Sequence, residues 1–164
     1  FGSREWRLLD AGRITRREAN ERMLQRARAV GRGFEVEGVL DDWMSMLHPR
    51  RRMQTLVEQL KQRGYCVYYL SNIPEDVLDL LMHRDFEGLF DGGVASCEVK
   101  VNKPDPRIYQ ALLDKYHLRA DECIFIDDRA DNLVAASALG FGTYEMHGVG
   151  TLLRSLPTFG VSLH

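Results

Sequence analysis

From residue 50 onward the chain alternates helix-forming stretches with short apolar runs, and polar clusters follow those runs. Tyr65 to Leu70 reads as a strand ended by Ser71-Asn72. Val94 to Cys97, after Gly92-Gly93, reads as a second, and Lys103 lies on the loop beyond it. Cys123 to Ile126 reads as a third, buried on both faces, that stops abruptly at Asp127-Asp128, and Phe141 to Met146 makes a last strand. Between them lie helices: Met53, Leu56, Val57 and Leu60 recur at helical spacing up to Gly64. Pro74 opens a helix through about Arg84, Lys103-Pro104-Asp105-Pro106 starts one through about His117, and Leu133 to Ser137 lie in one that runs to Gly140. Residues 151–156 read as a final helical turn. Crossovers of this length join parallel neighbours. The expected fold class is therefore α/β, a doubly wound parallel sheet covered on both faces.

The front of the chain has a different rhythm. Thr15-Arg16-Arg17-Glu18 is a capping-box pattern, and the stretch to about Val30 is rich in Ala, Leu, Met and Arg. Gly31-Arg32-Gly33 breaks it, and a second helical piece is expected from Val36 to Leu47, ended by His48-Pro49. Charge divides the same way. Residues 1–63 carry 14 Lys and Arg against 9 Asp and Glu, and the remainder 8 against 15. The net charge of the whole is -2, so the chain is no polycation built to hold nucleic acid. No stretch approaches 18 uninterrupted apolar residues, so no membrane span is expected. Cys66, Cys97 and Cys123 form no CxxC pair, and each lies in or beside an expected strand. They read as core thiols in a reducing cytoplasm.

In an open parallel sheet, ligands bind outside the carboxyl ends of the strands. Three polar groups stand there: Ser71-Asn72, Lys103 and Asp127-Asp128. Together they suit a phosphorylated ligand, the carboxylates holding a hard dication such as Mg²⁺ and the Lys and Ser meeting phosphate oxygens. Each alone also has a plainer reading. Ser71-Asn72 and Asp127-Asp128 read as caps of the helices that follow, and Lys103 as a solvated loop residue. An EF-hand loop from Asp127 fails, because Asn132 stands where Gly is needed. A nucleotide-binding loop fails too, because Gly31-Arg32-Gly33 follows no strand and GxxxxGK[ST] is absent.

The order Ser71, then Lys103-Pro104-Asp105-Pro106-Arg107-Ile108-Tyr109, then Ile124-Phe125-Ile126-Asp127-Asp128-Arg129-Ala130-Asp131-Asn132 resembles the haloacid-dehalogenase-like (HAD) hydrolases. These segments would be that family's second, third and fourth motifs. Glu5-Trp6 and Asp10-Ala11-Gly12-Arg13-Ile14-Thr15 resemble the start of the cap in the branch with a small helical cap. The resemblance implies a helical cap over residues 1–49 and an α/β core over 50–164. It implies a hydrolase, of the Mg²⁺-dependent phosphatase type, acting on a small phosphorylated metabolite through an aspartyl-phosphate. Ser71 would bind the phosphoryl group with the Asn72 backbone beside it. Lys103 would stabilise the nucleophile and the transition-state charge. Asp128 would be the direct Mg²⁺ ligand, with Asp127 beside it as a ligand or outer partner.

The family's first motif, a central strand followed by DxD, does not occur, and Asp41-Asp42 follow no strand. The expectation is an upstream segment on the order of 30 residues that carries the nucleophile, a sheet broken between the strands ending at Ile126 and Leu70, and no turnover by this polypeptide alone. Two alternatives stand beside the phosphatase: a 2-haloacid dehalogenase, which needs no dication, and a non-catalytic binding module that has lost its nucleophile. A phosphoacceptor receiver domain is set aside, because its paired acids come first and its Lys last.

Overall fold

The computed structural model describes residues 3–42 and 50–163, so the expected helix end at His48-Pro49 lies outside the described residues. Helix α1 (Arg4–Asp10) starts at Ser3, whose hydroxyl accepts the Trp6 N–H. Helix α2 (Arg16–Ala29) carries the complete capping box: Thr15 Oγ1 accepts the Glu18 N–H, and the Glu18 carboxylate accepts the Thr15 N–H. Helix α3 (Gly33–Asp42) begins at Gly33 itself, three residues before the expected start. A Glu5–Arg26 ion pair at 2.7 Å fastens α1 to α2.

Helix α4 (Arg51–Gln62) buries Leu56 and Val57, with Leu56 in a cluster that includes Leu152 and Leu156. Strand β1 (Tyr68–Ser71) pairs in parallel with β2 (Gly92–Ala95), register Tyr68 to Gly92 through Ser71 to Ala95. Helix α5 (Glu75–Leu81) lies between them and continues as a π-helical turn, Met82–Phe86. Beyond β2 come α6 (Ser96–Val99) and α7 (Pro106–Tyr116). Strand β3 (Ile124–Asp127) and helix α8 (Ala130–Ala138) lead to β4 (Gly142–Glu145), which pairs with β3 in parallel. Helix α9 (Val149–Ser155) is the expected final helical segment. The α/β class with parallel strands holds.

Details differ from the sequence expectation. The first strand begins at Tyr68 rather than Tyr65, which leaves Cys66 exposed instead of in the core. Ser96 and Cys97 are helical rather than extended, because the Glu98 carboxylate reaches back to the Ala95 N–H and turns the chain into α6. Along β3 only Phe125 and Asp127 are fully buried, with Ile124 and Ile126 half-covered. No ladder joins β1 to β3 among the described residues; the strands form two parallel pairs, β1 with β2 and β3 with β4.

Helix α7 fills the space across both pairs. Ile108, Tyr109, Leu112 and Leu113 share one core cluster with Val94 of β2, Phe125 of β3 and Phe141 before β4. Helix α1 also docks on this half of the molecule. Trp6 packs on the cluster of Ile73, Val77, Leu78, Ala95 and Cys97. Asn102 Nδ2 donates to Arg7 O, the Arg13 guanidinium to Lys100 O, and Lys100 Nζ to Gly12 O.

Candidate active site

Both strand pairs present their carboxyl ends to one residue, Lys103. Its Nζ donates to Leu70 O of β1 and to Asp127 Oδ2 of β3, each at 2.7 Å, and lies 5.3 Å from the centre of the Phe125 ring. The two side chains of the ion pair are 9% and 7% exposed. Lys103 is therefore no solvated loop residue. An ammonium buried beside a carboxylate holds its position only while the pair is kept intact, because removal of either partner strands a charge.

Asp127 is the last residue of β3, so the strand sets its backbone and the start of α8 closes over its side chain. Oδ1 accepts the Arg129 N–H and the Asn132 Nδ2–H, both at 2.9 Å. Burial pushes this carboxyl up, but the Lys103 ammonium, the Asn132 amide and the Arg129 N–H outweigh it and hold the pKa below the ordinary aspartate value. Arg129, not Asp127 or Asp128, takes the cap position of α8. Behind Asn132, the Tyr109 hydroxyl donates to Asn132 O at 2.9 Å. Burial first, and then the Asp127 charge, keep that phenol protonated far above its usual range.

Ser71 ends β1 and does not cap α5, whose cap position is Pro74. Among the described residues no hydrogen bond engages the Ser71 hydroxyl. Asn72, by contrast, is engaged through both ends of its amide: Nδ2 donates to Lys103 O at 3.0 Å, and Oδ1 accepts the Lys103 N–H at 2.7 Å. The next residue, Ile73, donates its N–H to Ser96 Oγ, and the Ser96 hydroxyl also contacts Asp10 O.

Asp128 is exposed, and among the described residues no hydrogen bond or ion pair holds its carboxylate. The two aspartates thus differ in chemistry: both oxygens of Asp127 are taken by protein donors, whereas Asp128 is open. No group of three or more His, Cys, Asp or Glu side chains stands together among the described residues. One open carboxylate is too few for a zinc site, whereas Mg²⁺ keeps several waters and needs only one or two protein carboxylates.

The structure therefore brings Ser71, Asn72, Lys103, Asp127 and Asp128 to one edge. It adds Asn132, Tyr109 and Ser96, for which no role was read from the sequence. Asn132 had a visible signal, an Asn in the first turn after the strand-ending Asp. Ser96 had none, because its partners Ile73 and Asp10 lie 23 and 86 residues away.

Comparison with known proteins gives a consistent set. The profile of a family described as haloacid dehalogenase-like hydrolase matches residues 2–140. The chain is 33% identical over 142 residues to a sesquiterpene phosphatase of Aspergillus oryzae, covering 85% of this chain and 71% of that protein. It is 32% identical over 95 residues to the (S)-2-haloacid dehalogenase 4A of Burkholderia cepacia, covering 57% of this chain and 41% of that enzyme. Among solved structures, a HAD family enzyme of Bacteroides thetaiotaomicron in complex with magnesium and inorganic phosphate superposes with a TM-score of 0.67 at 26% identity, covering 90% of this chain and 78% of the other.

Proposed function

The chain belongs to the haloacid dehalogenase-like hydrolases, and from that membership we propose that it works as a Mg²⁺-dependent phosphatase on a small phosphorylated metabolite. The observation that carries the reading is the position of Lys103 Nζ, buried between Leu70 O and Asp127 Oδ2 with the open Ser71 hydroxyl and Asp128 carboxylate at the same strand ends. A fixed ammonium at such an edge neutralises charge on a transferring phosphoryl group, and phosphoryl transfer depends mainly on such positioning and neutralisation. The phosphatase relative and the structure holding magnesium and phosphate support the same reading.

The Ser71 hydroxyl and the Asn72 N–H donate to phosphoryl oxygens, and Lys103 meets the charge that develops in the transition state. Asp128 is the residue that would hold Mg²⁺, which when bound neutralises phosphate oxygens. Asp127 stays with Lys103, outside the metal's own ligands. The attacking carboxylate is carried on a strand that occupies the space between β1 and β3, upstream of Phe1. Its oxygen forms the bond to phosphorus as the leaving oxygen departs with a proton from a second acid two residues on. Water, giving up its proton to that same group, then cleaves the aspartyl-phosphate to release inorganic phosphate and restore the carboxylate. Residues 1–49 serve as the helical cap and 50–164 as the core. The three free thiols suit a reducing compartment, the cytoplasm. Among the described residues no helix is long and apolar enough to cross a membrane.

The test is phosphate release from a panel of phosphate monoesters by the full protein with Mg²⁺. Asp128→Ala and chelator are each expected to lower turnover at least about 100-fold, on the scale of lost electrostatic stabilisation. Unchanged turnover in Asp128→Ala would refute the metal assignment. Residues 1–164 alone are expected to release none, and turnover by them would overturn the placement of the nucleophile. The dehalogenase relative favours a second reading, hydrolysis at the carbon of a 2-haloacid. Halide release that persists in chelator would select it.

A further inference from the structure

We infer that Asn72 is a positioning residue for Lys103 and does not bind substrate through its side chain. This rests on the phosphatase reading for its consequence in turnover, though the clamp itself rests on geometry. An Asn side chain offers an NH2 with two N–H donors and a carbonyl acceptor, and one N–H and the carbonyl face the peptide of Lys103: Nδ2–H to Lys103 O at 3.0 Å and Oδ1 from the Lys103 N–H at 2.7 Å. The pair spans 31 residues and reproduces the reciprocal bonding of two strands, with a side chain in place of one backbone.

Lys103 is thereby tied to the end of β1 twice. Its backbone is held by the Asn72 side chain, and its ammonium by Leu70 O, two residues earlier. Asp127 Oδ2 supplies the third point, from the other strand pair. A lysine side chain has four rotatable bonds and wanders when anchored at one end only. Anchored at both ends, it holds one conformer before substrate arrives, so no ordering remains for the reaction step. The two bonds to the Lys103 peptide fix the plane of the Asn72 amide, so its remaining N–H cannot turn toward a phosphate without breaking the clamp. The part of Asn72 in phosphate binding is therefore assigned to its backbone N–H.

Two measurements test this. The first needs no activity: amide hydrogen exchange at Lys103 in wild type and Asn72→Ala. Loss of the Oδ1 acceptor should speed exchange at Lys103 by about tenfold or more, the scale of one hydrogen bond, while amides of β1 and β3 keep their rates. An unchanged Lys103 rate overturns the clamp. If Asn72→Ala loses the β1 and β3 protection as well, Asn72→Asp replaces it. That variant keeps the acceptor and lacks the donor, so the Lys103 amide should stay protected; exchange as fast as in a chain with no acceptor would overturn the clamp.

The second is a double-mutant cycle on phosphate-monoester hydrolysis by the full protein, with Asn72→Ala, Lys103→Ala and both. Asn72→Ala should lower kcat about 10- to 100-fold with KM within about threefold, as for an interaction made in the transition state. Asn72→Gln, which keeps both amide groups, should recover part of the loss. In the Lys103→Ala background, Asn72→Ala should change nothing further. An additive loss there means that Asn72 touches substrate itself, and overturns the proposal. If wild type hydrolyses no phosphate ester while the exchange result stands, the phosphatase reading has failed and the clamp has not.

Discussion

Asp10 shows how a single carboxyl can work against the fold that contains it. It closes α1, half-buried, with its backbone oxygen taken by the Ser96 hydroxyl. Burial raises its carboxyl from 3.8 to about 7, and the charge of Arg16 offsets only part of that. Arg16 is itself held by Asp76 at 2.8 Å. Between these two values the folded chain keeps a proton that the unfolded chain has released, so stability falls as pH rises through the window, and the full penalty stands above about pH 7. A displacement from 3.8 to about 7 bounds the penalty at about 4 kcal/mol. Water reaching a half-buried group reduces it to about 1–2 kcal/mol. Asp10→Asn is therefore expected to be more stable than wild type at pH 8 by that amount and equal to it near pH 4. Denaturant melts at the two pH values check this, and equal stability at pH 8 would remove the penalty assigned to Asp10. Asp127 runs the other way. Its carboxyl is held below the ordinary value, so its contribution is present at neutral pH and is lost as pH falls through the folded value.

Among the elements, the turn between α1 and α2 depends on a residue without a side chain. Gly12 has φ +56°, and a Cβ there would stand 2.7 Å from Lys100 Nζ and 2.9 Å from Cys97 O. Lys100 Nζ donates to Gly12 O, so the same approach that excludes a side chain fastens the front helices to the loop that carries Lys103. Gly12→Ala combines a left-handed backbone with this overlap and should cost about 1–3 kcal/mol. A lower urea midpoint at unchanged m value checks it. This contact also marks the limit of what the sequence shows. The Thr15–Glu18 box was legible because its partners are three residues apart, and α7 because Asp105 and Pro106 start a helix with a periodic apolar face. The polar residues at the strand ends were legible for a similar reason, since a parallel sheet fixes which end they share. Strand limits were not. Tyr65 to Val67 are as apolar as the strand that follows, and only pairing with β2 decides that the ladder starts at Tyr68. The contrast between Asp127 and Asp128 was equally hidden, because it depends on Lys103, Asn132 and a strand end meeting in space.

Among the described residues the two strand pairs share no ladder, so within residues 1–164 something other than backbone bonding must make them one unit. Two features do so. Lys103 joins Leu70 O to Asp127, and α7 sets one apolar face against both pairs. Tyr109 belongs to both features. Its ring is fully buried and meets Phe125 edge-on at 5.3 Å and Phe141 at 6.3 Å, and its hydroxyl holds the backbone of Asn132, whose side chain holds Asp127. Removal of the hydroxyl alone, Tyr109→Phe, takes one donor from a buried carbonyl and should cost about 1 kcal/mol. Tyr109→Ala also opens a cavity where both pairs meet and should cost about 3–5 kcal/mol. The distribution of that loss tests the coupling. If α7 makes the pairs one cooperative unit, amides of β1 and of β3 lose exchange protection by the same factor in Tyr109→Ala. If the pairs are independent, β3 loses protection, being in direct ring contact through Phe125, while β1 keeps its own. The second result would mean that, within residues 1–164, the edge carrying Ser71 and the edge carrying Asp128 are joined chiefly through Lys103. Lys103→Met, which also leaves the buried Asp127 carboxylate without its cation, would then lower protection in β3 while β1 keeps its own.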